Sequence, residues 1–155
     1  MANKALFLDM DGTVIDYLPY LKNAKDIALN KGIISQMKIA KRNGYLLLVI
    51  SNQAGIEKGK ITSDEFDIIR KRVYSLLSKE GIKLDGHYVC FSSDDKDFCR
   101  KPNPGMILQA RDEFDLDLKQ CILVGDRAEI DLEAGRRAGI LRLYLTDLFG
   151  RGNLI

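Results

Sequence analysis

Short apolar runs alternate along the chain with longer segments in which hydrophobic side chains recur at helical spacing. Short apolar runs bounded by polar or glycine positions are typical of buried strands. Such runs predict strands over residues 4–8, 46–50, 87–91, 121–124 and 141–145. The helically spaced segments predict helices over residues 33–42, 63–80, 105–114 and 129–138. Strands that alternate with helices favour an α/β fold, with a mostly parallel central sheet and helices on both of its faces.

Polar residues and glycines at the predicted boundaries support these helices. Thr62 and Glu65 have the spacing of a capping box at the start of the second helix. Asn43 and Gly44 follow the first helix, and Gly139 follows the last one, as helix-ending residues do. In a parallel sheet, ligands bind at the carboxyl ends of the strands, so residues at those ends are the candidates for chemistry.

The bulk composition is that of an ordinary globular protein. A length of 155 residues favours one domain over residues 1–155, with 46% hydrophobic and 30% charged residues. A net charge of +2 without a dense basic run favours no particular partner, so a nucleic-acid partner is not the first expectation. No apolar stretch reaches the roughly 18 residues of a membrane span, and the first strand leaves no room for a signal peptide. Three cysteines, an odd number, argue against a disulfide framework and favour a cytoplasmic protein.

Two carboxylates, Asp9 and Asp11, follow the first apolar run, and Gly12 then breaks the strand. Side chains at positions i and i+2 of an extended segment point to the same side. Two negative charges are costly to bury together unless a cation compensates them, and carboxylate oxygens suit Mg²⁺. One acid would then serve as a nucleophile and the other as a general acid and base. The alternative is a strand followed by an ordinary Asp-Gly turn.

The segment around Asp9 resembles the first motif of the haloacid dehalogenase superfamily, and that family's other three motifs follow in order. Ser51 ends the second apolar run, and Lys101 lies in an Arg-Lys-Pro-Asn-Pro-Gly-Met segment. Asp126 completes a Gly-Asp pair after the fourth run, with Asp131 five residues further on. The resemblance covers about residues 4–145. It implies a Rossmann-like fold without a large cap domain and a phosphatase activity.

The resemblance also implies a role for each motif residue. Asp9 would attack phosphorus and form an aspartyl-phosphate, while Asp11 would protonate the leaving alcohol and then activate water. Mg²⁺ would be held by Asp9, the backbone carbonyl of Asp11 and Asp126. Ser51 would donate its hydroxyl to a phosphoryl oxygen, and Lys101 would stabilise charge in the transition state.

Further residues are expected to bind the substrate or to support the site. Thr13, Asn52, Gln53, Arg100 and Arg127 are the candidates for substrate binding. Two guanidinium groups suit a second phosphate on a sugar, since arginine binds phosphate in a bidentate manner. The alternatives are that Ser51 and Asn52 only end a strand and that Arg127 is an exposed helix-start residue. Asp131 would orient Lys101 or the metal shell, or else be a plain acid on a helix face.

The flanks of two motifs narrow the resemblance to one branch of small phosphatases. Residues 51–56 resemble a Thr-Asn-Gln-x-Gly-Ile signature, and residues 100–106 are close to Arg-Lys-Pro-x-Pro-Gly-Met. This branch contains heptose-1,7-bisphosphate, histidinol-phosphate and polynucleotide 3′-phosphatases, and the second segment is most like the heptose enzymes. The expected substrate is therefore a sugar bisphosphate of surface-polysaccharide (lipopolysaccharide) synthesis. Histidinol phosphate and 3′-phosphorylated nucleic-acid ends are the alternatives, and a non-catalytic phosphate-binding protein is disfavoured.

The chain departs from the branch in its zinc loop and its size. Cys90 and Cys99 match two loop cysteines, but Ser92 and Asp97 stand where a histidine and a cysteine are usual. Two cysteines cannot close a tetrahedral site, so a structural zinc is not expected, and Cys90 is interpreted as a small apolar strand residue. The segments that carry a cap in larger relatives are short. A monomer or homodimer is expected, with an open site that a partner copy or residues 16–25 would cover.

Overall fold

The structure is a computed structural model that describes residues 2–18, 23–151 and 155. Its strands are β1 (Ala5–Leu8), β2 (Leu46–Asn52), β3 (Gly86–Cys90), β4 (Ile122–Gly125) and β5 (Arg142–Leu145). Its α-helices are α1 (Lys31–Arg42), α2 (Ser63–Lys79), α3 (Gly105–Phe114), α4 (Glu133–Ala138) and α5 (Thr146–Arg151). Short 3₁₀ turns cover Ala24–Asp26 and Leu118–Gln120, and a π-helical turn covers Ala128–Leu132.

The strands form one parallel sheet in the order β3-β2-β1-β4-β5. β1 is central, and Leu6 pairs with Leu47 of β2 on one side and with Ile122 of β4 on the other. Successive strands are added on one side of β1 up to β3 and then on its other side from β4. This change of side creates a crevice at the carboxyl ends of the central strands. The predicted α/β class with a parallel sheet is confirmed.

Alternate side chains of the central strands support two hydrophobic layers. On one face, Leu6 and Leu8 pack in a cluster with residues of α1, α2 and α5. On the other face, Ala5 and Phe7 pack in a cluster with residues of α3 and α4. Successive strand side chains point to opposite faces, so the uninterrupted apolar runs in the sequence reflect burial on both sides.

Most predicted boundaries agree with the structure to within two residues, and the capping box at Thr62 and Glu65 is present. The last predicted helix is different, because it is divided into the π-helical turn and α4. No helix was predicted over the residues of α5. Part of the predicted covering loop over residues 16–25 lies outside the described residues, and the prediction of a single domain stays a prediction. Within the described part of the chain, no helix combines the length and hydrophobicity of a membrane span.

The argument from an odd number of cysteines against disulfides is wrong for one pair. Cys90, at the end of β3, is bonded to Cys99, with 5.6 Å between their Cα atoms. An odd count argues against a complete framework but does not exclude one local bridge across a short loop. Cys90 is buried in β3, but it is not the free apolar residue that the sequence suggested, whereas Cys121 is a free, buried thiol.

Candidate active site

The carboxyl ends of the three central strands open into a cavity of about 270 Å³. Asp9 follows β1, Asn52 ends β2, and Asp126 follows β4, so the sheet order alone brings these side chains together. The predicted site residues that line the cavity are Asp9, Asp11, Asn52, Arg100, Lys101, Asp126 and Arg127. Asp131, Tyr17, Ala54 and Ile130 complete the lining.

The centre of the site is the ammonium group of Lys101, which is only 3% exposed. Its Nζ donates to Asp9 Oδ1 at 2.8 Å, to Asp131 Oδ1 at 2.7 Å and to the carbonyl of Ile50 at 2.9 Å. An ammonium group has three N–H donors, so these three acceptors fix its position. Burial disfavours the charged form, but the charges of Asp9 and Asp131 outweigh it and raise the pKa of Lys101. The lysine is therefore a fixed positive charge beside Asp9.

Asp131 forms a 2.7 Å ion pair with Lys101, the contact expected by one of the alternatives that the sequence left open. It is 3% exposed and lies in the π-helical turn, where its Oδ2 accepts from the backbone N–H of Arg127 at 3.1 Å. Gly125 leaves the room for it, since a Cβ at that position would lie 2.2 Å from the Cβ of Asp131. Helical turns of this rare kind are common at functional sites.

Asn52 holds the backbone of Lys101 through both ends of its amide. Its Oδ1 accepts from the Lys101 N–H at 3.0 Å, and its Nδ2 donates to the Lys101 carbonyl at 3.0 Å. The side chain therefore connects the end of β2 to the loop that carries the lysine. This loop also contains a cis peptide bond between Lys101 and Pro102.

Replacing Asn52 by alanine is expected to lower kcat about 10- to 100-fold, the usual effect of removing a residue that orients a functional group. Asn52→Asp keeps the acceptor but loses the donor, so its kcat should be intermediate. Steady-state kinetics with Mg²⁺ would measure both, with Asn43→Ala at the exposed end of α1 as the control. A raised KM with unchanged kcat would instead mean that Asn52 contacts the substrate.

Gln53 holds the carboxylate of Asp11, and Gly12 forms the turn that follows it. The amide of Gln53 donates to Asp11 Oδ2 at 2.7 Å, and burial raises the pKa of Asp11 above its ordinary value. Gly12 has a φ of +85°, and a Cβ there would lie 2.3 Å from Asp126 Oδ2. Glycine is needed both for the backbone conformation and for the approach of Asp126.

The remaining feature of the centre is a concentration of negative charge. Carboxylate oxygens of Asp9, Asp126 and Asp131 lie within 4.8 Å of one another. Burial raises the pKa of Asp9, and the charges of Asp131 and Asp126 raise it further, against the opposing effect of Lys101. Partial burial and the charge of Asp131 also raise the pKa of Asp126. Such a cluster of hard oxygen donors with excess negative charge fits a divalent cation such as Mg²⁺.

Three predicted site residues do not line this cavity: Gln53, which contacts Asp11 as described above, Ser51 and Thr13. The Ser51 side chain is buried, and its Oγ lies 3.2 Å from Nε2 of His87. Thr13 is fully buried, and its hydroxyl forms a 2.7 Å hydrogen bond with that of Thr146 in α5. The position of Thr13 argues against substrate contact by its hydroxyl.

The two arginines both reach the cavity, but they are held differently. The guanidinium group of Arg100 donates to Asp95 at 3.1 Å and to the Ser92 carbonyl at 3.2 Å. Arg127 pairs with Glu129 at 3.1 Å, and its side chain is 62% exposed. Arg100 is therefore anchored in its loop, whereas Arg127 stands at the open side of the site.

The loop before Arg100 offers no thiolates for zinc, because Cys90 and Cys99 are joined to each other. Both ring nitrogens of His87 have partners, Ser51 and Tyr74, so the imidazole is not directed at that loop. The expectation that the chain holds no structural zinc stays a prediction.

Comparisons with known proteins agree with the geometry. A family model described as polynucleotide kinase 3 phosphatase matches residues 4–139. A D-glycero-beta-D-manno-heptose-1,7-bisphosphate 7-phosphatase of Helicobacter pylori is 41% identical over 140 residues, covering 89% of this chain and 80% of that protein. A D-glycero-alpha-D-manno-heptose-1,7-bisphosphate 7-phosphatase of Burkholderia mallei is 38% identical over 148 residues, covering 90% and 78%.

A solved structure is similar over most of the chain. The D,D-heptose 1,7-bisphosphate phosphatase of B. bronchiseptica, complexed with magnesium and phosphate, matches with a TM-score of 0.81 and 26% identity. The match covers 92% of this chain and 79% of that one. With the family model spanning most of its length and relatives well above 30% identity, the chain belongs to the polynucleotide kinase 3 phosphatase family and is a phosphatase of the haloacid dehalogenase type.

Proposed function

We propose that the chain hydrolyses a phosphomonoester through an aspartyl-phosphate formed on Asp9. The observation that carries this proposal is the 2.8 Å contact between Lys101 and Asp9 Oδ1 at the centre of the sheet. A lysine that holds one carboxylate oxygen leaves the other oxygen as the nucleophile and fixes its direction. The same positive charge lies beside the incoming phosphoryl group and stabilises its negative charge in the transition state.

Asp11 is the proton carrier in both half-reactions. In the first, Asp9 attacks phosphorus, the bond to the leaving oxygen breaks, and protonated Asp11 donates its proton to that oxygen. In the second, Asp11 takes a proton from water, which attacks phosphorus and releases inorganic phosphate and Asp9. The raised pKa of Asp11 suits the acid role, and the bond from Gln53 at 2.7 Å holds one carboxylate oxygen so that the other faces the substrate.

Asp9, Asp126 and the backbone carbonyl of Asp11 are the proposed ligands of Mg²⁺. Asp131 belongs to the same carboxylate cluster, but its oxygens already accept from Lys101 and from the backbone of Arg127. A bound Mg²⁺ would neutralise the repulsion between a carboxylate nucleophile and an anionic phosphate.

The proposed substrate is a sugar bisphosphate such as D-glycero-D-manno-heptose 1,7-bisphosphate. The names of the relatives from H. pylori and B. mallei support this substrate, and they differ in the anomer. Arg100 and Arg127 both line the cavity beyond Lys101, where a second phosphate needs positive charge. The description of the matching family model keeps 3′-phosphorylated nucleic acid as the second candidate.

A phosphate-release screen with Mg²⁺ tests the proposal. It compares both anomers of the heptose bisphosphate with sugar monophosphates, histidinol phosphate and a 3′-phosphorylated oligonucleotide. A preference for one heptose anomer would support the sugar assignment. A preference for the oligonucleotide would identify 3′-phosphorylated nucleic-acid ends as the substrate, with both arginines as contacts to the nucleic-acid backbone. A lack of hydrolysis of every monoester would contradict the proposal.

Replacing Arg127 by alanine is expected to lower kcat/KM about 10- to 100-fold for the bisphosphate and less than about twofold for a sugar monophosphate. The difference arises because a charged hydrogen bond to the second phosphate is lost only in the first case. Arg136→Ala, on the exposed face of α4 where it pairs with Glu133, is the matched control. Equal losses on both substrates would show that Arg127 does not recognise the second phosphate.

A further inference from the structure

His87 forms a hydrogen-bonded link between the proposed phosphate-binding serine and helix α2. Its Nε2 lies 3.2 Å from Ser51 Oγ, and its Nδ1 lies 2.6 Å from the hydroxyl of Tyr74. Ser51 ends β2, His87 lies on the neighbouring β3, and Tyr74 projects from the helix. The chain contains one histidine, and neither the family motifs nor the proposed mechanism uses it.

The protonation states of the three groups determine the direction of this link. Burial lowers the pKa of His87 to about 4, and the positive charge of Arg70 acts in the same direction. Burial raises the pKa of the Tyr74 phenol, against the opposing effect of Arg70. At neutral pH the imidazole is therefore uncharged with a single N–H, and the phenol keeps its proton.

A neutral imidazole is a donor at one nitrogen and an acceptor at the other. A phenol is a good donor, and when Tyr74 donates to Nδ1, the ring proton must be on Nε2. The Nε2–H then donates to Ser51 Oγ. Because this contact uses Ser51 as an acceptor, the serine proton is directed away from the ring and is available to another acceptor.

We propose that Tyr74 and His87 are positioning residues that fix the imidazole tautomer, so that Ser51 directs its hydroxyl proton to a phosphoryl oxygen of the substrate. This inference rests on the proposed phosphatase function and on the role that the family resemblance implies for Ser51, the donation of its hydroxyl to a phosphoryl oxygen. In the opposite tautomer, Nδ1–H would donate to Tyr74, and the bare Nε2 would take the Ser51 proton and withhold it from the phosphate. Tyr74 thus acts on the reaction through two hydrogen bonds without touching the substrate.

The tautomer is directly measurable, because the single histidine gives one unambiguous set of ring ¹⁵N signals. In two-dimensional ¹H–¹⁵N spectra near neutral pH, the wild type is expected to show the Nε2–H form. Tyr74→Phe should convert this to a mixture of tautomers, since the donor to Nδ1 is gone. This readout does not depend on catalysis, so it separates the inference from the proposed function. A wild-type Nδ1–H form would overturn the proposal.

The kinetic test uses p-nitrophenyl phosphate with Mg²⁺, so that an error in the natural substrate does not affect it. Tyr74→Phe and His87→Leu are expected to lower kcat about tenfold with little change in KM, the effect of one hydrogen bond in a transition state. His87→Gln places an amide donor where Nε2–H stood and should recover most of that loss. Tyr88→Phe, which removes the neighbouring hydroxyl bonded to Glu113, is the matched control.

Combination with Ser51→Ala distinguishes positioning from a merely structural role. Once Ser51 has no hydroxyl, Tyr74→Phe and His87→Leu should lower kcat no further. An additional tenfold loss in that background would mean that the pair acts on folding or on another residue, and it would overturn the proposal. Thermal unfolding of each variant shows which losses come from stability.

Discussion

Replacing Asp9 by asparagine is expected to lower kcat at least about 10⁴-fold, since removal of a covalent nucleophile is among the most damaging changes an enzyme can undergo. The amide has the same shape as the carboxylate, and its oxygen still accepts from Lys101, so the fold should be retained. What is lost is the negative charge that attacks phosphorus and helps to hold Mg²⁺. Phosphate release under saturating substrate, together with thermal unfolding, would measure both effects.

The matched control for Asp9→Asn is Asp112→Asn, the same chemical change at an exposed position paired with Arg111 on α3. Its kcat should equal that of the wild type. Acid quenching during turnover should trap covalent phosphate on the wild type and none on the Asp9 variant. More than about 1% residual activity in a folded Asp9→Asn protein would contradict a covalent intermediate on this residue.

Lys101→Met is expected to damage both stability and activity. The change leaves two buried carboxylates without their cation, and breaking a buried pair in this way costs about 3–5 kcal/mol in free energy of unfolding. Loss of the positive charge beside the phosphoryl group should lower kcat by a further factor of about 10²–10³. Urea unfolding without added metal measures the first effect, and kinetics with Mg²⁺ measures the second.

The stability deficit of Lys101→Met should also depend on pH. Burial already raises the pKa of Asp9, and removal of the lysine takes away the main opposing effect. A carboxyl group whose pKa is raised by folding destabilises the fold above that pKa, and this penalty disappears as the pH falls toward the unfolded value. The deficit should therefore shrink as the pH is lowered from neutrality. Lys96→Met, at an exposed position of the same loop, should show no such deficit.

The sequence was sufficient for the sheet because strands buried on both faces appear as unbroken apolar runs. It was less informative where local signals are weak. The helix α5 is short and carries few apolar residues, and the π-helical turn before α4 places Asp131 close to Gly125. Neither feature has a periodic pattern of its own.

For the site, the motifs identified Asp9, Lys101 and Asp126, which meet because parallel strands end at one edge. Motifs did not reveal which partner each side chain takes. Asn52 and Gln53 were expected to bind substrate, yet their amides hold Lys101 and Asp11. These contacts join residues 49 and 42 positions apart, and only the folded chain brings them together. The Cys90–Cys99 bond was missed although the sequence separation is only 9, since it depends on where the loop returns to β3.

The close contact of Gly125 with Asp131 restricts how this sequence can vary. Gly125 is not in a conformation reserved for glycine, so an alanine there would strain no backbone dihedral. Its methyl group would nevertheless occupy the place of the Asp131 side chain, and displacement of Asp131 would release Lys101. Gly125 therefore cannot be replaced by a larger residue while position 131 carries an aspartate. The positions of the two residues in their motif do not indicate that one depends on the other. A substitution that enlarges residue 125 must be accompanied by a change at residue 131. Otherwise the orientation of Lys101 is lost.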